Sequence, residues 1–192
     1  MRFTSTILFA FISLSVYAQS NTKIADSLYA VGKYDEAVLL MEKEDTSSVK
    51  ILTDLAKYYK ANSEDKKALK TYKKILDLDS SRVITALNYG ETLLNLNRLK
   101  EADSLYKKLS LRYPENAQFY YSRGLANERM AKDSLAFELF KRTHKYDQFH
   151  QNALYKLSKE SLRNNDYQQA LAYTAMGLGK NENNVSLLSI TA

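Results

Sequence analysis

Apolar side chains in this chain recur at helical spacing, and the segments that carry them come in pairs. Two such segments are joined by a short polar turn, as at Ala61-Asn62-Ser63-Glu64 and Asn95-Leu96-Asn97-Arg98. A turn this short forces the two helices antiparallel. The pair then repeats. Ala68, Ala102, Ala136 and Ala170 stand 34 residues apart, and Ala56, Gly90, Gly124 and Ser158 form a second ladder of small residues at the same interval. Tyr72, Tyr106 and Phe140 follow the first three alanines by four residues. Two ladders in register over four units predict a helical repeat array. A small residue on each helix lets the two backbones approach at their crossing, and the aromatic one turn later fills the space beside it.

An upstream unit follows the same plan with a shorter connection. Gly32, Tyr34 and Ala37 supply its turn, its aromatic and its small residue, but Ala37 precedes Ala68 by 31 residues, which places a deletion in the polar link 44–48. The single proline, Pro114, separates two units. The expected units are 21–47, 48–82, 83–116, 117–150 and 151–184, with 185–192 as the first part of a sixth. Repeat arrays finish with a polar capping helix, and Val185 to Ala192 is apolar, so this stretch is expected to be covered by further chain, by a partner or by a second copy.

The residues Leu55-Ala56 with Tyr59, Ala68 and Tyr72, and Tyr89-Gly90 with Leu93, Ala102, Tyr106 and Pro114, resemble the tetratricopeptide repeat (TPR) family. The resemblance covers residues 21–192. It implies an all-α fold, a right-handed superhelical solenoid of antiparallel helix pairs with about five repeats plus the start of a sixth, and binding of a protein or peptide in a concave groove. Arg123 and Asn127 depart from it where apolar residues are expected, and Thr174 replaces a bulky one. Those two units are expected to pack more loosely.

The first 18 residues are of another kind. Arg2 precedes an apolar run from Ile7 to Val16 interrupted by serines, and Val16-Tyr17-Ala18 presents small or modest residues at the positions a signal peptidase reads. Residues 1–18 therefore read as a cleaved secretory signal peptide with Gln19 as the new N-terminus, and the mature chain as exported to a bacterial periplasm or cell envelope, or secreted. The run is shorter than the roughly 20 residues that span a bilayer, and no later stretch is long and apolar enough. Cysteine is absent, which excludes disulfides and a lipid on cysteine. One proline and 5 glycines in 192 residues argue for helix over sheet. The net charge of +6 is spread among 22 acids, which speaks against nucleic acid as a partner.

The family's groove is lined by the first helix of each unit. Projected onto this sequence, that face carries Lys50, Thr53, Lys57 and Lys60, then Leu87, Glu91, Leu94 and Asn95, then Tyr121, Leu125, Glu128 and Arg129, and then Asn152, Tyr155, Lys159, Leu162 and Arg163. Basic residues flanking an apolar and aromatic middle suit an extended or helical peptide with aliphatic anchors and acidic groups. The lysine and asparagine clamp for a C-terminal carboxylate known in some family members is not intact. The 15 tyrosines are accounted for by repeat packing, at Tyr34, Tyr59, Tyr72, Tyr89 and Tyr106 among others.

No catalytic, cofactor or metal site is expected. His144 and His150, with Asp147 between them, fit no common zinc spacing and are expected at the surface. Gly177-Leu178-Gly179-Lys180 lacks the spacing of a phosphate loop. Asp-Ser-Leu at 26, 103 and 133 resembles an O-glycosylation triplet but lies in helix-patterned segments. The sequence thus predicts an exported scaffold or adaptor that binds a protein or peptide, with self-association through the last helix as a further possibility. The alternative is an extracytoplasmic sensor or interaction module of a longer envelope signalling protein.

Overall fold

A left-handed residue ends the first helix of each pair, and the chain reverses there. The computed structural model describes residues 21–191. Positive φ occurs at Gly32 (79°), Ser63 (59°), Asn97 (58°), Ala131 (56°) and Asn165 (59°). At each of these the next amide donates back across the helix end: Lys33 to Leu28 O, Glu64 to Tyr59 O, Arg98 to Leu93 O, Lys132 to Asn127 O and Asp166 to Ser161 O, all at 2.8–2.9 Å. The left-handed residue's own N–H donates to Tyr29, Lys60, Leu94, Glu128 or Leu162 O at 2.9–3.2 Å. This double bond pattern satisfies the last carbonyls of the helix and directs the chain into the next one.

The helices are α1 (21–30), α2 (Tyr34–Met41), α3 (Val49–Ala61), α4 (Asp65–Leu78), α5 (Val83–Asn95), α6 (Leu99–Arg112), α7 (Ala117–Arg129), α8 (Asp133–Tyr146), α9 (Gln151–Arg163), α10 (Tyr167–Leu178) and α11 (Val185–Thr191). No strand occurs among the described residues. They make five helix pairs and the first helix of a sixth. The chain divides into two compact units, one up to Thr92 and one from Leu93 onward, so that α5 runs through the division.

In the first unit the core gathers Ala37 and Met41 of α2, Leu52, Leu55, Ala56 and Tyr58 of α3, and Ala68, Tyr72 and Ile75 of α4. The small residues Ala37, Ala56 and Ala68 are fully buried. In the second unit α7 packs on α6 and α8, and α9 on α8 and α10. There the crossings trade one helix's bulk against the other's. A Cβ on Gly124 of α7 would stand 2.5 Å from Phe140 Cε1 of α8, so the ring occupies the volume that glycine vacates. One pair later Ser158 replaces the glycine and Thr174 the aromatic. Their hydroxyl oxygens lie 2.6 Å apart and 2.8 and 2.9 Å from Ala170 O, so one hydroxyl donates to the other, which donates to the carbonyl.

The expected looseness at the unusual residues is not found. Thr174 is fully buried in that hydroxyl pair. Asn127 is also fully buried, and its Nδ2 donates to Asp103 Oδ1 at 2.7 Å, while Arg123 Nε donates to the same oxygen at 2.8 Å. Burial pushes the Asp103 carboxyl up, but the hydrogen bonds from Arg123 and Asn127 outweigh it and hold it below the usual range. A polar cluster therefore joins α6 to α7 where apolar contact was expected, and its donors are satisfied, while Asn127 Oδ1 is buried there without a hydrogen-bond partner among the described residues. α11 seats the fully buried Leu187 against Gly177 and Leu154.

Two opposite exchanges test this account. Ala131 pays the cost of the left-handed conformation, so Ala131→Gly should stabilise the chain by about 0.5–1 kcal/mol even though glycine is the poorer residue for folding elsewhere. Gly124→Ala should destabilise it by about 1 kcal/mol, because overpacking against Phe140 exceeds the helix propensity gained. Urea midpoints at unchanged slope would show both; equal signs for the two exchanges would contradict it.

Candidate binding face

Helix-to-helix links at the other end of each pair fix how the first helices are presented. Asp45, Asp79 and Asp147 each accept from the amide two residues on, at Ser47, Ser81 and Phe149, over 2.9–3.1 Å. At three of the links the residue three beyond that position caps the following helix with its side chain. Asn116 Oδ1 accepts from Gln118 N at 3.1 Å, His150 Nδ1 from Ala153 N at 3.2 Å, and Asn184 Oδ1 from Leu187 N at 3.2 Å. Asn184 is thus engaged in capping. His150 is half-buried rather than at the surface, its ring 4.6 Å from that of Tyr121, and its Nε2 is 3.4 Å from Gln118 Oε1. His144 is also half-buried, edge-on to Tyr173 with its Nδ1 3.1 Å from Gln148 O. The two histidines serve different helix ends, and no group of three metal-binding side chains comes together among the described residues.

In the first unit, Lys50 is exposed in the first turn of α3 without an ion pair among the described residues. Lys57 lies 4.0 Å over the ring of Tyr29 and 3.8 Å from Asp26, whose Oδ1 also accepts from Tyr58 Oη at 2.8 Å. Lys60 is tied to Asp65 at 2.7 Å across its own turn. Leu87 is half-buried and Glu91 exposed on α5.

The second unit holds Asn95, exposed at the end of α5, and the remaining residues of the projected face. Arg129 does not present its guanidinium as a free ligand-binding group. Its Nη1 donates to Leu94 O at 2.7 Å and its Nη2 to Asn97 Oδ1 at 3.2 Å, closing the preceding helix end and its left-handed turn. Tyr121 is half-buried against Phe140, with ring centroids 5.8 Å apart, and burial pushes its hydroxyl up to about 12. Arg163 pairs with Glu160 at 3.2 Å. Lys159 has no ion pair among the described residues and lies 6.0 Å from the Tyr155 ring.

Beside Lys159 the second unit has a cleft between the start of α8 and the later half of α9, over the end of α7. Phe137 and Phe140 form its apolar wall, and Lys156, Lys159, Glu160 and Arg163 its rim. Lys156 is spoken for by Glu128 at 2.6 Å. Phe137 was missed by projecting first-helix faces, because it stands on α8, the second helix of its pair, whereas the cleft also draws on the first helix of the next. Lys156 lies on α9 beside the projected Tyr155, and no sequence pattern singled it out.

The arrangement of paired helices is that of TPR proteins. MamA of Desulfovibrio magneticus RS-1 superposes with a TM-score of 0.72 at 17% identity, over 88% of this chain and 97% of that one. Pseudomonas aeruginosa PilF gives 0.72 at 21% identity over 93% and 82%. A thermophilic TPR protein of Thermus thermophilus gives 0.65 at 21% over 90% and 96%. At these identities the likeness is one of fold: the chain is an all-α, TPR-like solenoid. No protein-family model and no curated protein matches the chain. No helix among the described residues is long and apolar enough to cross a membrane.

His150 caps α9 only with Nδ1 unprotonated. Burial lowers its pKa from the ordinary 6.5, with Asp147 opposing, so the unfolded chain takes up the proton first. The contribution is present above about pH 6.5 and is lost as pH falls through the lower folded-state value. His150→Asn, the capping residue used at 116 and 184, should keep stability at neutral pH and flatten the loss below it, whereas His150→Ala should cost about 1 kcal/mol at neutral pH. Thermal melts between pH 5 and 8 would decide, a range chosen to bracket the histidine transition.

Proposed function

We propose that this chain is an exported scaffold or adaptor that binds a protein or peptide segment along the face of its first helices, with the cleft beside Lys159 as the anchoring point in the second unit. One observation carries the reading. The partly exposed Phe137 lies over the buried Phe140 beside a lysine that has no ion pair among the described residues, whereas Lys60, Lys156 and Arg129 are all occupied within the fold. Such a shallow site offers apolar contact at Phe137 and a place for an adjacent carboxylate at Lys159. Within the second unit Tyr155 and Arg163 would supply secondary contacts; in the first unit Lys50 and Lys57 are cations of the projected face. The printed title of a further structural neighbour, YrrB, describes a TPR protein with an unusual peptide-binding site, and it aligns with 89% of this chain at a TM-score of 0.65. That supports a peptide as the kind of ligand without fixing its sequence. The reading assigns no catalytic step. Export rests on the leader-like pattern of residues 1–18, which lie outside the described residues.

Selection from a displayed random-peptide library, followed by affinity measurement with the winning peptide, tests the site. Lys159→Glu and Phe137→Ala should each weaken binding by about tenfold or more, while Arg129→Ala should act mainly on stability. Winning peptides that ignore both cleft substitutions would remove this assignment. For export, the protein recovered from the envelope fraction of its host should begin at Gln19; an intact Met1 in the cytoplasmic fraction would contradict it.

A further inference from the structure

The second helices of the pairs carry a feature that peptide binding leaves unused. Outer positions 73 and 74 of α4 are both lysine, 107 and 108 of α6 are both lysine, and 141 and 142 of α8 are lysine and arginine. All are exposed. In the second unit this basic surface continues to the ends of α6 and α8, where Arg112 and Lys145 lie, and to Lys180 after α10. Among the described residues none of Lys107, Lys108, Arg112, Arg142, Lys145 and Lys180 is in an ion pair. Several are held over aromatic rings instead: Arg112 is 5.5 Å from Tyr113, Arg142 is 6.0 Å from Tyr120, Lys145 is 5.4 Å from Tyr146, and Lys180 is 4.4 Å from Phe149.

One residue gathers the ends of α6 and α8 to a common edge. Tyr120 of α7 donates its hydroxyl to Pro114 O at 2.8 Å, just past α6, and stacks its ring on Tyr146 at the end of α8, with centroids 5.4 Å apart and planes at 13°. Along this edge the apolar side chains face solvent: Leu111 is 75% exposed, Phe149 45% and Tyr146 38%. The acids there are Glu115, Asp147 and Glu182, fewer than the cations.

We propose that this edge, from the ends of α6 and α8 to the 147–150 link and Lys180, docks the protein onto a bilayer surface that contains anionic lipids. Exposed leucine, phenylalanine and tyrosine side chains enter the headgroup boundary, where aromatic rings are favoured, and the surrounding lysines and arginines meet lipid phosphates. Cations without an internal partner need give up no ion pair to do so. A single-stranded nucleic acid would also meet cations and rings, but here the ring faces are already taken by the chain's own cations, and Leu111 offers no stacking surface. This surface lies at the ends of α6 and α8, whereas the cleft beside Lys159 draws on the start of α8, so the edge can be occupied while the cleft holds a peptide.

Vesicle sedimentation of the full chain tests it, using phosphatidylcholine alone and phosphatidylcholine with about one third phosphatidylglycerol. Each variant is read as a ratio to wild type, so that residues 1–20, common to all, cancel. Neutralising Lys108 and Lys145 together (Lys108→Gln, Lys145→Gln) should weaken binding to the anionic vesicles on the order of 25-fold, roughly fivefold per cation, and the difference should shrink with salt. Leu111→Ser should weaken it further at every salt concentration. Lys159→Glu, in the peptide cleft, should leave vesicle binding as it was, which separates the two sites. All these residues are solvent-facing, and unchanged melting temperatures would show that the variants fold. Wild-type binding that none of the edge substitutions alters, or no vesicle binding at all, overturns the proposal. So does a larger effect of the same substitutions on a single-stranded oligonucleotide than on vesicles.

Discussion

Every helix pair here depends on the chain reversing at one left-handed residue. Once that residue is in place, two backbone hydrogen bonds close the first helix and fix the direction of the second, so the side chains that meet at the crossing are already chosen by position. Side-chain identity at the reversal is almost free, since glycine, serine, asparagine and alanine all occupy it. Backbone geometry therefore carries the repeat, and side chains accommodate it. This is why a chain with so few glycines can still turn sharply five times: an asparagine bears the left-handed conformation at little cost, and alanine bears it at more.

The crossings show the same economy in volume. A small residue opposite a large one recurs, but the pairing is by size and polarity together. Gly124 faces Phe140, and Ser158 faces Thr174 with the hydroxyls bonded to each other. Both solutions fill the space; the second replaces dispersion contacts of a ring with a satisfied hydrogen bond in a dry place. The Asp103, Arg123 and Asn127 cluster applies that exchange between neighbouring pairs, and Arg129 does so at a helix end. Polar residues at apolar positions thus mark where the array is tied, because leaving any one of these groups unpartnered would cost more than the bond itself returns.

How much of this was legible in the residues follows from what repeats. Ala68, Ala102, Ala136 and Ala170 recur as identical letters, and so the helix pairs and their register could be read directly. The left-handed residue could not: polar turns were readable at 61–64 and 95–98, but Ser63, Asn97, Ala131 and Asn165 share a backbone angle without sharing one side chain, and only Gly32 marked its own position. The caps were hidden likewise, since His150 stands among asparagines and its ring nitrogen does the work of an amide oxygen. For the candidate binding face, helical projection names residues by direction and cannot tell a free cation from a committed one. Lys60, Arg129 and Lys159 look alike in one dimension; that Asp65 and Leu94 O engage the first two, while Lys159 has no ion pair among the described residues, comes from three-dimensional neighbours.

That distinction between committed and free charge organises the surface as well. Where a lysine shares its site with an acid one turn away, as Lys73 does with Asp77 and Lys141 with Glu138, the pair is exposed, screened and of small energetic consequence. Cations without such an acid gain no ion-pair energy from the fold, and in the second unit they concentrate at the ends of α6 and α8 beside exposed apolar side chains. The last second helix breaks the pattern: the positions that hold paired cations on α4, α6 and α8 are Ala175 and Met176 on α10. Fold alone tolerates either set, because both are solvent-facing. Repeat architecture therefore fixes the spacing of these outer positions and leaves their chemistry open, so that whatever meets α6 and α8 meets charge and whatever meets α10 meets none.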